Sequence, residues 1–396
     1  MVRPQGVIAP FVNDDMQVAL ERLGHRVLLL DTAKIDIDFE QRGMKCWDDI
    51  ITSIREFKAD FSLCYGVAGA IIFEGKHEGA NHLFRELGIH LFPFFFDDPV
   101  FTLGLLPELQ WPKDELIFIW DKGHIERMKE NGYQNLYHIP LGTNEEKFKP
   151  LKKPHSRFKH PMSFVGSVMS PDEIVEPVKQ ADVILQSIFE TVIRRRLQFP
   201  EQAVHEIIAD VTCHLPKEDW QRWSTFVGTK NYWAFVDRLY KLINAIWREQ
   251  IVTSLALNEV PIQVYGNEAW KAMQVDYQGS LDYHQQLPRL YSSCPLHLNL
   301  SAPQLFKAVN NRVFDVLACG SMVLSDWREE LGDYLEPGKE VLVFHSVEEA
   351  VEMAKEWQGR EEELRKISQN GREVVLSQHT WKHRMKEAIG VIEKEL

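Results

Sequence analysis

The chain has 396 residues, a length that favours two or three domains over one. Hydrophobic residues make up 44%, charged residues 26% and aromatics 11%, which is enough apolar material for sizeable cores and too little polar bias for disorder. Setting 58 acidic against 45 basic residues leaves a formal charge of −13, so bulk nucleic-acid binding is excluded unless basic residues gather on one face, and they do not.

The first residues enter a short apolar run without the h-region or cleavage site of a signal peptide. No segment approaches the roughly 18 apolar residues of a membrane span. A cytoplasmic chain with no transmembrane segment is expected. Cys46, Cys64, Cys213, Cys294 and Cys319 are odd in number and lack any C-x-x-C, which predicts reduced, mostly buried thiols.

In chain order, residues 1–150 alternate short apolar runs with amphipathic stretches, the rhythm of parallel strands joined by crossover helices. Val7-Ile8-Ala9 reads as a first strand and Asp15 to Leu23 as a helix stopped by Gly24. His25 to Asp31 reads as a second strand. Trp47 to Phe57 is helical, Asp60 to Tyr65 is a strand, and Gly66 to Gly69 is a turn. Asn81 to Leu87 is a helix closed by Gly88, and Ile89 to Phe96 is a strand ending in Asp97-Asp98-Pro99. Leu116 to Trp120 is a strand and Asp121 to Asn131 a helix. Together these predict an open, doubly wound α/β domain.

From Asn144 to Lys159 the chain is basic and Pro-bearing, which predicts an exposed linker. Met162 to Val165 then opens a second α/β unit over 160–380, followed by Gly166-Ser167. Ser170-Pro171-Asp172-Glu173 is a helix start, and Ile174, Val178, Ala181, Leu185, Ile188 and Val192 follow at helical spacing. A further stripe runs through Tyr232, Phe235, Val236, Leu239, Ile243 and Ile246, so residues 172–257 read as a helical insertion. Its Trp220, Trp223, Trp233, Trp247, Phe189, Phe226, Tyr232 and Phe235 suit a core, or a sugar or protein surface. Strands resume at Ile262 to Tyr265, His297 to Leu300, Met322 to Leu324 and Val341 to Phe344. Ser346-Val347-Glu348-Glu349 opens a helix, and residues 381–396 form a terminal one that is expected to pack back on the first domain.

The segment Asn310-Asn311-Arg312-Val313-Phe314-Asp315 through Gly320 to Asp326 reads as helix, glycine stop and strand. Such a helix start offers N–H groups to a diphosphate, with Asn311, Arg312 and Lys307 assisting, and Asp315 lies one turn in, where an acid can accept from ribose hydroxyls. Taken alone, any α/β protein supplies the same features. Here Arg312, Phe314, Asp315, Ala318 and Gly320 match the pattern R-x-F-E-x-x-A-x-G, and the stretch resembles the donor-binding signature of GT-B glycosyltransferases of the group-1-like class. Similarity is greatest to the bacterial spore-maturation-type enzymes. It extends to Leu331 to Val343, Thr380 to Arg384, Phe96-Asp97-Asp98-Pro99, Trp120 to His124, Ile139 to Thr143 and Phe164 to Ser167, and omits 172–257. Two positions depart from the pattern: Asp315 stands for the usual Glu, and Lys307 stands where retaining members place the first Glu of E-x7-E.

This resemblance implies an α/β GT-B fold of two Rossmann-like domains facing a cleft, and transfer of a sugar from a nucleotide-diphosphate donor, with UDP-sugars favoured and no metal or other cofactor. The acceptor would be a glycan, a protein such as flagellin or a surface protein, or a small molecule. Rival implications are a nucleotide-sugar epimerase of the same fold and a non-catalytic nucleotide- or sugar-binding protein.

Donor contacts are expected from Gly166, Ser167, Tyr265 and Gly266 after the second domain's strands, with turns as the competing reading. Asp97, Asp98 and His124 are the candidate bases, against a helix cap before Pro99 and a structural histidine. Asn13, Asp14 and Asp15 form a second acceptor-side group. Asp36-Ile37-Asp38, read as an acidic loop, and His379 with His383, read as an i, i+4 pair, are weaker metal-like patterns.

Overall fold

The computed structural model describes residues 1–3, 9–42, 44–71 and 83–396. They divide into two compact units, Met1–Gly142 with Thr380–Leu396, and Thr143–His379. Each unit is a parallel sheet wrapped by helices, and among the described residues each sheet has six strands.

The first sheet comprises β1 (Val2–Arg3), β2 (Leu30–Asp31), β3 (Phe61–Tyr65), β4 (His90–Phe95), β5 (Ile117–Ile119) and β6 (Leu136–His138), in the order β2-β1-β3-β4-β5-β6. Its central strands are apolar on both faces because helices cover both: Ile117, Phe118 and Ile119 are all buried. The first strand differs from expectation. Val2, fully buried, pairs with both Leu30 and Cys64, while Ala9 already begins the helix Ala9–Arg22; Val7 and Ile8 lie outside the described residues. With β1 only two residues long, the expected strand from His25 pairs only at Leu30–Asp31. Asp36 and Asp38, expected in a loop, are exposed residues of the helix Thr32–Arg42. Asn81 and His82 lie outside the described residues, and the helix expected there covers Leu83–Glu86. The terminal helix Trp381–Glu395 belongs to this unit and packs on Ala9–Arg22, with buried Arg384 donating to the Leu141 carbonyl at 3.2 Å.

The second sheet comprises β7 (Met162–Val165), β8 (Ile262–Tyr265), β9 (Asp276–Tyr277), β10 (Leu296–Asn299), β11 (Met322–Asp326) and β12 (Leu342–Phe344), in the order β12-β11-β10-β7-β8-β9. This is the dinucleotide-fold order, in which β7 starts one half and the neighbouring β10 starts the other. Between β7 and β8 the described residues hold only helices: Pro171–Lys179, Val183–Gln198, Val204–Thr212, Lys217–Phe226 and Lys230–Leu257. The expected continuous stripe from Ile174 to Val192 is broken at 180–182, where Asp182 caps the next helix by accepting from Ile184 N at 2.9 Å. Phe189, Trp223 and Phe235 are buried in this insertion, whereas Trp220 is exposed. The segment Asn144 to Lys159 is mostly exposed, as expected, but it is pinned to the second unit by buried Phe148 and Phe158, the Phe148 ring lying 5.2 Å from that of Tyr283. Gly320, at φ +82°, supplies the left-handed turn that ends the helix Arg312–Ala318. Cys46, Cys64, Cys294 and Cys319 are buried free thiols, and Cys213 is exposed.

Candidate functional site

In the second unit, crossover connections diverge between β7 and β10, which leaves a crevice at the carboxyl ends of these strands, the usual ligand position in open α/β sheets. The loops leaving β7 and β8 meet with no side chain between them. Gly166 N donates to the Tyr265 carbonyl at 2.8 Å, Trp270 Nε1 donates to the Gly166 carbonyl at 2.7 Å, and a Cβ on Gly266 would sit 2.1 Å from that same oxygen. Backbone packing alone therefore requires glycine at 266. Ser167 is exposed beside this contact. Tyr265 is turned away from it: its buried hydroxyl donates to Gln263 Oε1 at 3.0 Å, and burial raises the phenol to about 12. The Tyr265 side chain is thus engaged with its own strand, two residues back.

Arg248 touches this loop pair, and the charge of Arg312 acts on Arg248. Arg312, half-buried, donates from Nη1 to Asn299 Oδ1 at 2.9 Å, at the end of β10, and hydrogen-bonds to Tyr291. Arg248 comes from the long helix Lys230–Leu257, on whose inner face Trp247, Ile251, Val252 and Leu255 are also packed. Its Nη1 donates to the Ser167 carbonyl, while its buried Nε has no partner. Burial first, and then the like charge of Arg312, pull the Arg248 guanidinium down to about 9; Asp326 opposes them. Among the described residues neither arginine forms an ion pair. Asp326 is already committed, since its Oδ1 accepts from Ser301 N and Oγ, each at 2.9 Å, and its Oδ2 lies 3.2 Å from Arg328 Nη2. Among the described residues the charge of Asp326 acts on Arg248, but its oxygens are held by Ser301 and Arg328. The sequence reading missed Arg248; its only signal there is a cation placed on an apolar helical stripe.

Asp315 does something other than what was expected. It is 1% exposed, and its oxygens accept from Thr143 Oγ1 at 2.6 Å, Tyr283 Oη at 2.7 Å and Asn311 Nδ2 at 3.0 Å. Its carboxylate is enclosed by protein donors and is not presented to a ribose. Asn311 is spent on Asp315 and Tyr283 and makes no cap for the seven-residue helix that follows. Lys307 is engaged with Glu329, 3.4 Å away, at the surface.

In the first unit, the Asp97-Asp98 pair divides its labour. Asp98 is buried, accepts from Val100 N at 3.0 Å and Phe101 N at 3.2 Å, and takes Arg127 Nη1 at 2.6 Å. Burial would raise its pKa, but the charges of His124 and Arg127 and the Phe101 N–H outweigh burial and hold the carboxyl at about 2. A carboxylate so stabilised is a helix cap and a poor base, which corrects that candidate. His124, 1% exposed with Nδ1 3.9 Å from Asp98 Oδ1, is equally structural. Asp97 is half-buried at the carboxyl end of β4 and accepts from Tyr65 Oη at 3.1 Å. Asn13, Asp14 and Asp15 lie inside the helix Ala9–Arg22: Asn13 donates to the Val2 carbonyl at 2.8 Å, Asp14 is paired with Arg3 at 2.7 Å, and Asp15 is buried.

His379 and His383 do not share a helix. His379 ends the helix Glu361–Gln378 and stacks on Phe314 with ring centroids 5.2 Å apart, whereas His383 bonds to Thr380 Oγ1 at 2.7 Å. Among the described residues no group of three or more His, Cys, Asp or Glu is placed to hold a metal ion, and no helix is long and apolar enough to cross a membrane.

Residues 248–390 match the model of a family described as glycosyl transferase-like. Across 371 residues the chain is 23% identical to an uncharacterized protein of Aquifex aeolicus, over 88% of this chain and 86% of that one. A glycosyltransferase structure from Rickettsia africae aligns with TM-score 0.55 and 8% identity, over 100% of this chain and 96% of its own. Anabaena Alr3699/HepE in complex with UDP-glucose aligns with TM-score 0.51 and 10% identity, over 95% and 88%. The fold is that of GT-B glycosyltransferases: two parallel α/β units.

Proposed function

We propose that the chain is a glycosyltransferase that takes a sugar from a nucleotide-diphosphate donor, without a metal, and passes it to a glycan, protein or small-molecule acceptor. The observation that carries this reading is the pair Arg248, held at Ser167 after β7, and Arg312, held at Asn299 at the end of β10, which among the described residues form no ion pair. The family match over 248–390 supports it, and the UDP-glucose bound by the Anabaena neighbour favours UDP as the carrier.

Sugar transfer breaks the bond between the anomeric carbon and the diphosphate oxygen, and the diphosphate leaves with the electron pair. Fixed guanidiniums in a crevice stabilise that developing charge, the role a divalent cation plays in other enzymes. Asp315 acts at one remove, holding Tyr283 and Asn311 in place. As the base that takes the proton of the acceptor hydroxyl we propose Asp97, a half-buried carboxylate that accepts from Tyr65 Oη.

The test is thermal unfolding against UDP, GDP, ADP, CMP and dTDP, with and without EDTA. A ligand at about 100 times its Kd stabilises by roughly 2.7 kcal/mol. We expect a selective shift that EDTA does not alter and that Arg248→Met abolishes. No shift with any nucleotide would sink the reading.

A further inference from the structure

A second group of buried arginines lies at the carboxyl end of β11. Arg196, from the helix Val183–Gln198, is 4% exposed and among the described residues makes no hydrogen bond; its Nε is a buried atom without a partner there. Arg328, just past β11, is also buried. Its Nη1 donates to the carbonyls of Pro200 and Trp327 at 3.0 and 2.9 Å, its Nη2 lies 3.2 Å from Asp326 Oδ2, and its Nε is unpartnered.

Nearby acids do not balance the two charges. Asp326 is shared with Ser301, and Glu201 is exposed and paired with His345 Nδ1 at 2.7 Å. Burial first, and then the like charge of Arg328, pull the Arg196 guanidinium down to about 9. A buried guanidinium without hydrogen bonds destabilises a fold unless an anion completes it. Of the two acids whose charges act on Arg196, Asp326 is buried and Glu201 is exposed, so two buried guanidiniums meet one buried carboxylate, which suits a buried monoanion.

The helix Lys230–Leu257 connects this group to the crevice. Tyr240, Asn244 and Arg248 stand at i, i+4 and i+8 and so share one face. Tyr240 acts electrostatically on Arg196, Arg248 holds the Ser167 carbonyl, and between them Asn244 Oδ1 is buried without a partner. At about 1.5 Å per residue the ends of this stripe are about 12 Å apart. In a nucleotide sugar the group that follows the diphosphate is the sugar ring.

We propose that Arg196 and Arg328 read a carboxylate on the transferred sugar, with Asn244 on a hydroxyl of the same ring, so that the donor is a nucleotide-diphosphate hexuronate. This rests on the diphosphate being held by Arg248 and Arg312. Arginine suits the role because its planar fork matches a carboxylate in a bidentate manner.

Calorimetric titration of the full chain with UDP, UDP-glucose and UDP-glucuronate tests this, with Arg196→Met and Arg196→Lys alongside. The wild type is expected to bind UDP-glucuronate at least tenfold more tightly than UDP-glucose. Arg196→Met should erase that preference, keep UDP affinity within twofold, and unfold at the same or a higher temperature, because an unpaired buried charge is gone. Arg196→Lys should keep part of the preference. Equal affinity of the wild type for the two sugars overturns the proposal whether or not the variants fold, as does a preference that survives in Arg196→Met. Failure of UDP itself to bind overturns the diphosphate site instead, so the two readings fail separately.

Discussion

The Thr143 hydroxyl donates to Asp315 Oδ1 over 2.6 Å, across 172 residues of sequence. Together with Tyr283 and Asn311 it makes Asp315 the junction of three segments of the second unit: the stretch that enters it, the loop before β10, and the helix Arg312–Ala318.

Asp315→Ala would take the acceptor from the buried Thr143 and Tyr283 hydroxyls and from half-buried Asn311, and open a void. Unfolding in urea should show a loss of about 3 kcal/mol, with nucleotide affinity reduced only as a consequence. If stability stayed within about 0.5 kcal/mol of wild type while affinity collapsed, Asp315 would instead be a direct ligand of the ribose.

Asp98 makes stability depend on acid. Its folded pKa, about 2, lies below the unfolded value near 3.8, so the folded state holds the proton less tightly. The contribution is fully present above pH 4 and is lost as pH falls from about 4 to 2. The shift corresponds to about 2 kcal/mol. Denaturant titrations across that window should show the decline, and Asp98→Asn should flatten it while lowering stability at neutral pH. A variant with the wild-type slope would remove Asp98 from this account.

His297 acts at higher pH. Ser163 Oγ meets its Nδ1 at 2.6 Å and Cys294 O meets its Nε2 at 2.9 Å, which satisfies the neutral ring on both sides. Burial pulls its pKa down to about 3 from the ordinary 6.5. Between those values the unfolded chain takes up a proton that the folded chain refuses, so stability falls as pH drops through this interval, by up to about 1.4 kcal/mol per pH unit. The imidazole should stay neutral at pH 5 by NMR, and His297→Gln should remove its share of the slope. A ring protonated at pH 5 in the folded protein contradicts this.

Gly266→Ala tests the contact between the loops after β7 and β8. With a Cβ 2.1 Å from the Gly166 carbonyl, one loop must move, at a cost of about 1–3 kcal/mol. The melting temperature should fall and nucleotide affinity with it, because Gly166 and Ser167 shift. An unaltered melting temperature would mean that the loops separate freely.

Much of the architecture can be read from periodicity and caps. The spacing of Met162–Val165 and Ile262–Tyr265 marks both strands at their observed bounds, and the stripe through Tyr232 to Ile246 marks the long helix. Ser346 caps its helix by accepting from Glu349 N as its pattern implies, although Glu349 reaches back to His345 N and not to Ser346. Two-residue strands such as β1 carry no periodicity, so only pairing reveals them. The site was less legible for a different reason. Asp98 and Asp315 stand at positions where an acid can serve either a ligand or the protein, and only their partners decide between the two. Arg196 and Arg248 lie on faces that hydropathy assigns to the core, and among the described residues neither forms an ion pair.

The first unit takes its last helix, Trp381–Glu395, from beyond the whole of the second unit. During synthesis residues 143–379 emerge before Trp381–Glu395, so the flank of Ala9–Arg22 stays uncovered until that helix has been made.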